Sequence, residues 1–211
     1  MTFVVAIDGP AGSGKGSITK SVGEKLGLIN IDTGAMYRSV SLNIIRENIK
    51  LDFKKDEDTM RFYLNGEEVT NEIRSKEVND IVSQVSHIPL VRTRMVDLQR
   101  KIAEGKRVIM EGRDIGTNVF PNADVKIYLD ATPEERAKRR YKQNMEKWIN
   151  IPYEEVLQNV IFRDNSDKTS DVAPLKMAED AILVDSTNMT IEEVENRIIE
   201  IINNKHRKEG V

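Results

Sequence analysis

The chain of 211 residues carries 32 basic and 35 acidic side chains, a net charge of −3, and no cysteine. This length suits one α/β domain with small insertions, and the balanced charge excludes the broad basic field of proteins that bind nucleic acids or membrane surfaces. Disulfides and thiolate metal sites are excluded, and no apolar run approaches the roughly 20 residues of a membrane span, so we expect a soluble cytoplasmic protein without a secretory signal.

The first predicted element is a short apolar strand, Val4 to Ile7, which leads into a glycine-rich segment closed by a lysine. Residues 9–15 match the pattern G-x-x-x-x-G-K, in which backbone N–H groups surround phosphate oxygens and the lysine reaches the β- and γ-phosphates. The spacing of Ile18, Val22 and Leu26 then predicts a helix whose N-terminus faces the anion. The segment therefore predicts a nucleoside polyphosphate site formed by Gly9, Pro10, Ala11, Gly12, Ser13, Gly14, Lys15, Gly16 and Ser17.

The phosphate loop departs from the usual pattern at one position. Phosphate-loop proteins commonly place a magnesium-binding serine or threonine directly after the lysine. This chain has Gly16 there, and its hydroxyl comes one residue later, at Ser17. Magnesium held mainly by water and phosphate oxygens is equally compatible with the sequence, so the metal ligands stay open.

Later apolar runs predict four more strands, at 28–31, 107–110, 125–129 and 181–184. Helix-like stretches lie at 34–47, 75–104, 133–147 and 190–205. Strands that alternate with helices indicate a parallel sheet covered by helices, with ligands at the carboxyl ends of the strands. The charged segment 50–75 interrupts this alternation, and its Asn65-Gly66 pair predicts a hairpin in a small insertion with short strands.

Groups that could bind an anion recur after the predicted strands. Thr33 and Arg38 follow the second strand at a predicted helix start, which is a favourable place for a phosphate. The third strand ends in Glu-Gly-Arg-Asp, residues 111–114, and Arg163 and Asp167 lie in a predicted polar loop. Each group alone could be a helix cap or a salt-bridged turn. Together they exceed what one triphosphate needs, which favours a second phosphorylated ligand.

A predicted helix after the fourth strand carries a basic face. Thr132 and Glu135 predict its start, and Arg136, Arg139 and Arg140 share one side by their spacing. Such a face is usually solvated, but beside a triphosphate it can be a lid that delivers arginines to the transferring phosphoryl group. No guanine-reading Asn-Lys-x-Asp motif follows a core strand. Phosphoryl transfer between nucleotides is thus favoured, and a nucleotide-hydrolysing switch is the alternative.

Six segments, in chain order, resemble the bacterial cytidylate kinase family: IDGPAGSGKGS, DTGAMYR, SQVSHIPLVR, EGRDIGTNVFPNADVKIYLDA, EERAKRR and RDNSDKTSDVAPL. The resemblance implies one α/β P-loop kinase domain over 1–211, with a five-stranded parallel sheet covered by helices. It also implies a monophosphate-binding insertion near 50–82 and an arginine-rich helical lid near 132–165. The implied reaction uses ATP and Mg²⁺ to convert CMP or dCMP to CDP or dCDP. We expect a monomer with no nucleic-acid or membrane partner.

The same resemblance implies that Ser83, Arg92 and Asp114 read the base. The chemistry agrees, because cytosine presents an amino donor beside two acceptors. Uracil presents an oxygen where cytosine has the amino group, so Asp114 would be repelled and left unpaired. Another nucleoside monophosphate kinase, for adenylate or uridylate, would differ in this set and is the nearest alternative.

Contacts to the rest of the acceptor follow from the resemblance in the same way. The acceptor phosphate would bind Thr33, Arg38 and Arg113, and the sugar would bind Arg163 and Asp167. A phosphate oxygen is already a competent nucleophile, so no side chain needs to act as a strong base.

Catalysis would then consist of positioning and charge neutralisation by Lys15, Arg113 and Arg139. The chain departs from the family at Ser170, where the family usually has a further arginine, although Lys168 is near in sequence. This departure leaves one contact to the acceptor phosphate open.

Overall fold

The computed structural model describes residues 2–45, 51–55, 60–64, 66–146, 148–170 and 172–209. The strands are β1 (Phe3–Asp8), β2 (Ile29–Asp32), β3 (Leu51–Lys55), β4 (Met60–Leu64), β5 (Glu67–Glu68), β6 (Arg107–Gly112), β7 (Val125–Asp130) and β8 (Ile182–Asp185). The α-helices are α1 (Lys15–Leu26), α2 (Thr33–Ile45), α3 (Lys76–Ser86), α4 (Pro89–Ala103), α5 (Pro133–Glu146), α6 (Tyr153–Lys168) and α7 (Ile191–Glu209). A 3₁₀ turn covers Glu72–Arg74, and a short π-helix covers Ile115–Val119.

The main sheet has five parallel strands in the order β2-β6-β1-β7-β8, as predicted. Central strand β1 is apolar up to its last residue because helices cover both of its faces. Val5 and Ile7 pack with Val22 of α1 and Ile198 of α7. Alternate residues of the strand contribute to a second core with α2 and α4.

The register of the sheet brings three strand ends together at one edge. Asp8, the last residue of β1, lies opposite Gly112 of β6, and Asp32 of β2 lies opposite Glu111. The loops after β1, β2 and β6 therefore meet at the carboxyl edge, where parallel sheets bind their ligands.

The insertion forms a separate antiparallel sheet of β3, β4 and β5. Phe62 of β4, Val69 and Ile73 are buried against the core that contains Met36 of α2, which fixes this small sheet to the domain. Gly66 has a φ of +87°, as a tight hairpin between β4 and β5 requires, while Asn65 of the predicted turn lies outside the described residues. The roles predicted for 50–82 as an insertion and 132–165 as a lid stay predictions.

Two sequence predictions about helices are wrong. The stretch 75–104 is not one helix but two, α3 and α4, because Pro89 begins α4 and holds Ile88 before it in an extended conformation (ψ 116°). The predicted polar loop around Arg163 and Asp167 is instead the last part of α6.

The other predicted helices are present with small shifts at their ends. Helix α2 begins at Thr33, and residues 46 and 47 of its predicted span lie outside the described residues, as does residue 147 after α5. Helix α7 extends to Glu209. Among the helices that the structure describes, none is long and apolar enough to cross a membrane.

Candidate active site

The phosphate loop connects β1 to α1 through backbone conformations that only glycine readily provides. A Cβ on Gly9 would lie 2.1 Å from the carbonyl oxygen of Leu129, and Gly14 has a φ of +89° directly before α1. Lys15 folds back into the loop and is 6% exposed. Its Nζ donates to the carbonyl oxygens of Gly9 (2.8 Å) and Pro10 (2.7 Å). Burial, reinforced by a nearby guanidinium, lowers the pKa of Lys15 to about 7.

The carboxylates of Glu111 and Asp8 lie beside this lysine on neighbouring strands β6 and β1. Burial, and after it the charge of Asp32, raises the pKa of Glu111 to about 7. The carboxylate of Glu111 also explains the absence of a side chain at Gly16, since a Cβ there would lie 3.1 Å from Glu111 Oε1. The neighbouring Ser17 is exposed at the start of α1. The site thus combines a buried cation with two acidic groups that only partly neutralise it.

Four arginines from separate elements come together around Arg163, and we call Arg38, Arg113, Arg140 and Arg163 the arginine cluster; the charge of Arg113 also acts on Lys15. Arg113 Nε donates to Asp167 Oδ2 at 2.9 Å. Burial lowers the pKa of Arg163, and the charges of Arg113 and Arg140 lower it further. Like charges held this close repel one another, so an anion bound among them would stabilise the arrangement.

Two of the three predicted base-reading residues contact each other. Arg92 of α4 forms an ion pair of 2.5 Å with Asp114, and both side chains are largely buried. The guanidinium of Arg92 lies 5.9 Å from the ring centre of Tyr37, and Asp114 also accepts from Asn118 Nδ2 at 2.9 Å. Ser83 lies partly buried on α3, and its role stays a prediction. The pair offers one acceptor and one donor that could serve a base edge.

Two predicted phosphate-binding residues of α2, Thr33 and Arg38, contact groups at the carboxyl ends of β6 and β2. The Thr33 hydroxyl is buried and donates to the carbonyl oxygen of Glu111 at 2.6 Å. Arg38 Nη2 lies 3.0 Å from Asp32 Oδ2. Thr33 can still accept a hydrogen bond, while a phosphate would have to compete with Asp32 for Arg38.

The three arginines predicted to share one face of α5 lie in different surroundings. Arg136 is 2% exposed and pairs in a bidentate manner with Asp164 of α6, so it is a buried structural cation. Arg139 donates to Ser186, through the hydroxyl at 3.1 Å and the carbonyl oxygen at 2.6 Å. Only Arg140 contributes to the arginine cluster. The catalytic role predicted for Arg139 would therefore require its release from Ser186.

Sequence reasoning assigned no role to Asp8, Asp32 and Glu111, although each lies at the carboxyl end of a core strand. A carboxylate that ends a buried parallel strand lies at the ligand edge of the sheet, and this placement could have identified all three. The buried partnership of Arg136 with Asp164 had no local signal, because the two residues lie 28 positions apart.

Comparison with known proteins places the chain in a family. The family model described as "Cytidylate kinase" matches residues 5–204. The cytidylate kinases of Fusobacterium nucleatum subsp. nucleatum and Thermosipho melanesiensis are 48% and 45% identical to it, covering 93% and 95% of this chain and 95% and 97% of the relatives. A shikimate kinase structure from Bacteroides thetaiotaomicron has a TM-score of 0.55 at 12% identity, covers 96% of this chain and 99% of its own, and shares the fold alone. By the family model and these relatives, the chain belongs to the cytidylate kinase family.

Proposed function

We propose that the carboxyl edge of the main sheet transfers the terminal phosphoryl group of ATP to CMP or dCMP, giving ADP and CDP or dCDP. The chain is a nucleoside monophosphate kinase by family, and the arrangement of the site supports this reaction. The observation that carries the proposal is a pair of anion-binding surfaces, the phosphate loop with Lys15 and the arginine cluster, which are linked by Arg113, whose charge acts on both Lys15 and Arg163. A hydrolysing switch needs only the first of them.

Base choice in this proposal depends on the Arg92–Asp114 pair. The carboxylate of Asp114 would accept from the cytosine amino group, and Arg92 would donate to the adjoining ring nitrogen and carbonyl oxygen. Because each partner already binds the other at 2.5 Å, their positions are set before the base arrives. Uracil would place an oxygen against the Asp114 carboxylate, which disfavours UMP.

The chemical step would need no side-chain base. An oxygen of the CMP phosphate attacks the γ-phosphorus of ATP, the bond from that phosphorus to the β,γ-bridging oxygen breaks, and ADP leaves with the bonding electrons. Lys15 would bind the β- and γ-phosphates once it leaves the carbonyls of Gly9 and Pro10, and Arg113 would hold the attacking phosphate. Both residues act by position and charge.

Magnesium fits the residues beside the phosphate loop. Asp32 and Glu111 are adjacent oxygen donors at the ends of paired strands, and burial, then the charge of Asp32, raises the pKa of Glu111, so a bound cation would stabilise its charged form. Mg²⁺ typically binds one or two carboxylates together with phosphate oxygens and water, so we propose these two residues as its protein anchors. When bound, it would neutralise charge on the transferred phosphoryl group.

The lid proposed for 132–165 has a packing basis. Ala137 of α5 and Val156 and Val160 of α6 form a small apolar cluster apart from the two cores of the main sheet. Helices that pack chiefly on each other can move as a unit, and closure would exclude water from the reaction. We further propose that the chain acts as a monomer in the cytoplasm.

The experiment that tests this function measures ADP formation by the purified chain with ATP, Mg²⁺ and each of CMP, dCMP, UMP, AMP and GMP. We expect kcat/KM for CMP and dCMP to exceed that for the other three acceptors. ADP release at the same rate without any acceptor would instead support the hydrolysing switch, and a preference for AMP or UMP would support another monophosphate kinase.

A further inference from the structure

A buried carboxylate that the proposed reaction does not use lies directly before the phosphate loop. Asp8 is the last residue of β1 and is 5% exposed. Its Oδ1 accepts from the backbone N–H of Ile115 at 2.7 Å, and its Oδ2 accepts from that of Gly116 at 2.7 Å. Both oxygens are thus bound to successive amides of a segment 107 and 108 residues away.

The two amides open the π-helix Ile115–Val119, which begins directly after Asp114. The first N–H groups of a helix have no partner within it, and Asp8 supplies one for each of two neighbours. The π-helix is a rare form that is frequent at functional sites. Gly116 permits the approach, since a Cβ there would lie 3.3 Å from Asp8 Oδ2.

Burying a carboxylate costs free energy, and this cost indicates that the N–H groups of Ile115 and Gly116 require two acceptors at the end of β1. Burial raises the pKa of Asp8 to about 6, so the charged form is disfavoured there, although the two amide bonds oppose that shift. An apolar residue would fill the end of β1 without this penalty. It would leave both N–H groups buried without acceptors, and the turn that carries Asp114 would lose its anchor.

We propose that Asp8 is a positioning residue for base recognition, which holds the π-helix so that Asp114 meets Arg92 at the base pocket. The carbonyl oxygen of Asp114 accepts from the N–H groups of Asn118 (2.9 Å) and Val119 (3.1 Å), so the turn is internally rigid and moves as one piece. Asp8 fixes that piece to the central strand. This inference rests on the proposed function, because it assigns Asp8 to the selection of cytosine.

The test replaces Asp8 by asparagine, which exchanges one acceptor oxygen for an NH₂ donor facing a backbone N–H. We expect the ratio of kcat/KM for CMP to that for UMP to fall by about tenfold, the scale of one good base contact. KM for CMP should rise, while KM for ATP should change less, because both hydrogen bonds of Asp8 go to the π-helix and its charge acts on Lys15 less than burial, Arg113 and Glu111 do. A loss of stability alone would not move the CMP/UMP ratio.

Asp124→Asn is the matched control. Asp124 Oδ2 accepts from the N–H of Val4 at 2.6 Å, so the same chemical change is made at the other end of β1, away from the base pocket. This control should lower the melting temperature and leave the CMP/UMP ratio unchanged. If both variants lower the ratio equally, the effect is general to the sheet and the inference is wrong.

A second variant keeps the inference testable if Asp8→Asn does not fold. Gly116→Ala presses a methyl group against Asp8 Oδ2 from the π-helix side and should also lower the ratio. If the parent chain prefers CMP but the folded variant keeps the same CMP/UMP ratio, the inference about Asp8 is wrong while the proposed function stands. A parent chain without CMP preference overturns the proposed function, and the inference with it.

Discussion

Lys15 carries a buried positive charge in the phosphate loop, from where its side chain would reach the transferred phosphoryl group. Replacing it with methionine keeps most of the stem and removes the charge. We expect kcat to fall by about 10²-fold or more while the chain stays folded, the scale of losing one preorganised charge. ADP formation with CMP measures the loss, and circular dichroism checks the fold. A folded variant that keeps most of its kcat would show that the phosphate loop is misassigned.

The burial of Lys15 also predicts how stability depends on pH. Its pKa falls from 10.5 in the unfolded chain to about 7 in the folded protein, so protonated Lys15 destabilises the folded state at pH 7 and below. This destabilisation fades as the pH rises towards 10.5, where the unfolded chain also loses the proton. The stability of ligand-free Lys15→Met relative to the parent should therefore decrease from pH 7 to pH 10.

Urea unfolding at several pH values measures this trend. Lys20→Met, on the exposed side of α1, is the control and should show no comparable trend. A Lys15→Met variant whose relative stability rises between pH 7 and pH 10 would contradict the buried position of the charge.

Asp114 carries the proposed discrimination between cytosine and uracil. Asp114→Asn replaces a pure acceptor by a group that can also donate, so UMP should become a better substrate relative to CMP. We expect the CMP/UMP ratio of kcat/KM to change by about 1–3 kcal/mol, the scale of one base contact. The same substitution at Asp97, which is exposed on α4, should leave the ratio unchanged. An unchanged ratio in Asp114→Asn would remove this residue from base recognition.

At the scale of the element, three charged residues near the end of helix α6 meet different surroundings. Asp167 faces Arg113, whereas Asp164 and Lys168, one turn apart, line a cavity of about 220 Å³ together with Pro10. Lys168 directly follows Asp167 on this helix, and the suggestion that it substitutes for a family arginine stays a prediction. The hydroxyl of Ser170 is buried and finds no hydrogen-bond partner among the described residues.

Ser170→Arg should therefore strengthen CMP binding. A guanidinium there would add a charge-assisted bond to the acceptor phosphate, with a gain of roughly 1–2 kcal/mol. Calorimetry with CMP measures the gain, which should be absent with cytidine. Lys168→Ala is the companion variant: if Lys168 fills the place of the family arginine, this variant should weaken CMP binding and Ser170→Arg should restore it. If neither substitution changes CMP binding, the assignment of Lys168 and Ser170 to the acceptor phosphate is wrong.

The strands and the phosphate loop were predictable because their signals are local. Val4 to Ile7 is an unbroken apolar run, and the glycines that follow have fixed spacing. Local signals also existed where the predictions failed: Pro89 marks the break between α3 and α4, and Val156 and Val160 have the spacing of a helix that packs on α5. The polar composition of the last turns of α6 concealed that periodicity.

The candidate site was predictable only in part, because several of its contacts join residues that lie far apart in the sequence. The family resemblance assigned Arg92 and Asp114 to one base-reading set, and the structure pairs them although 22 positions separate them in the sequence; their role in reading the base stays a prediction. No pattern indicated that Asp8 binds the amides of Ile115 and Gly116, or that Arg139 binds Ser186. Such partners depend on strand order, which a single sequence does not contain.

At the scale of the whole molecule, the central claim is that the fold joins a donor site and an acceptor site for direct transfer. ATP labelled in its γ-phosphate, incubated with the chain, Mg²⁺ and CMP, tests this claim most directly. We predict that the label appears in CDP, in step with ADP, and that little inorganic phosphate forms. Label released as inorganic phosphate at a rate independent of CMP would contradict the account.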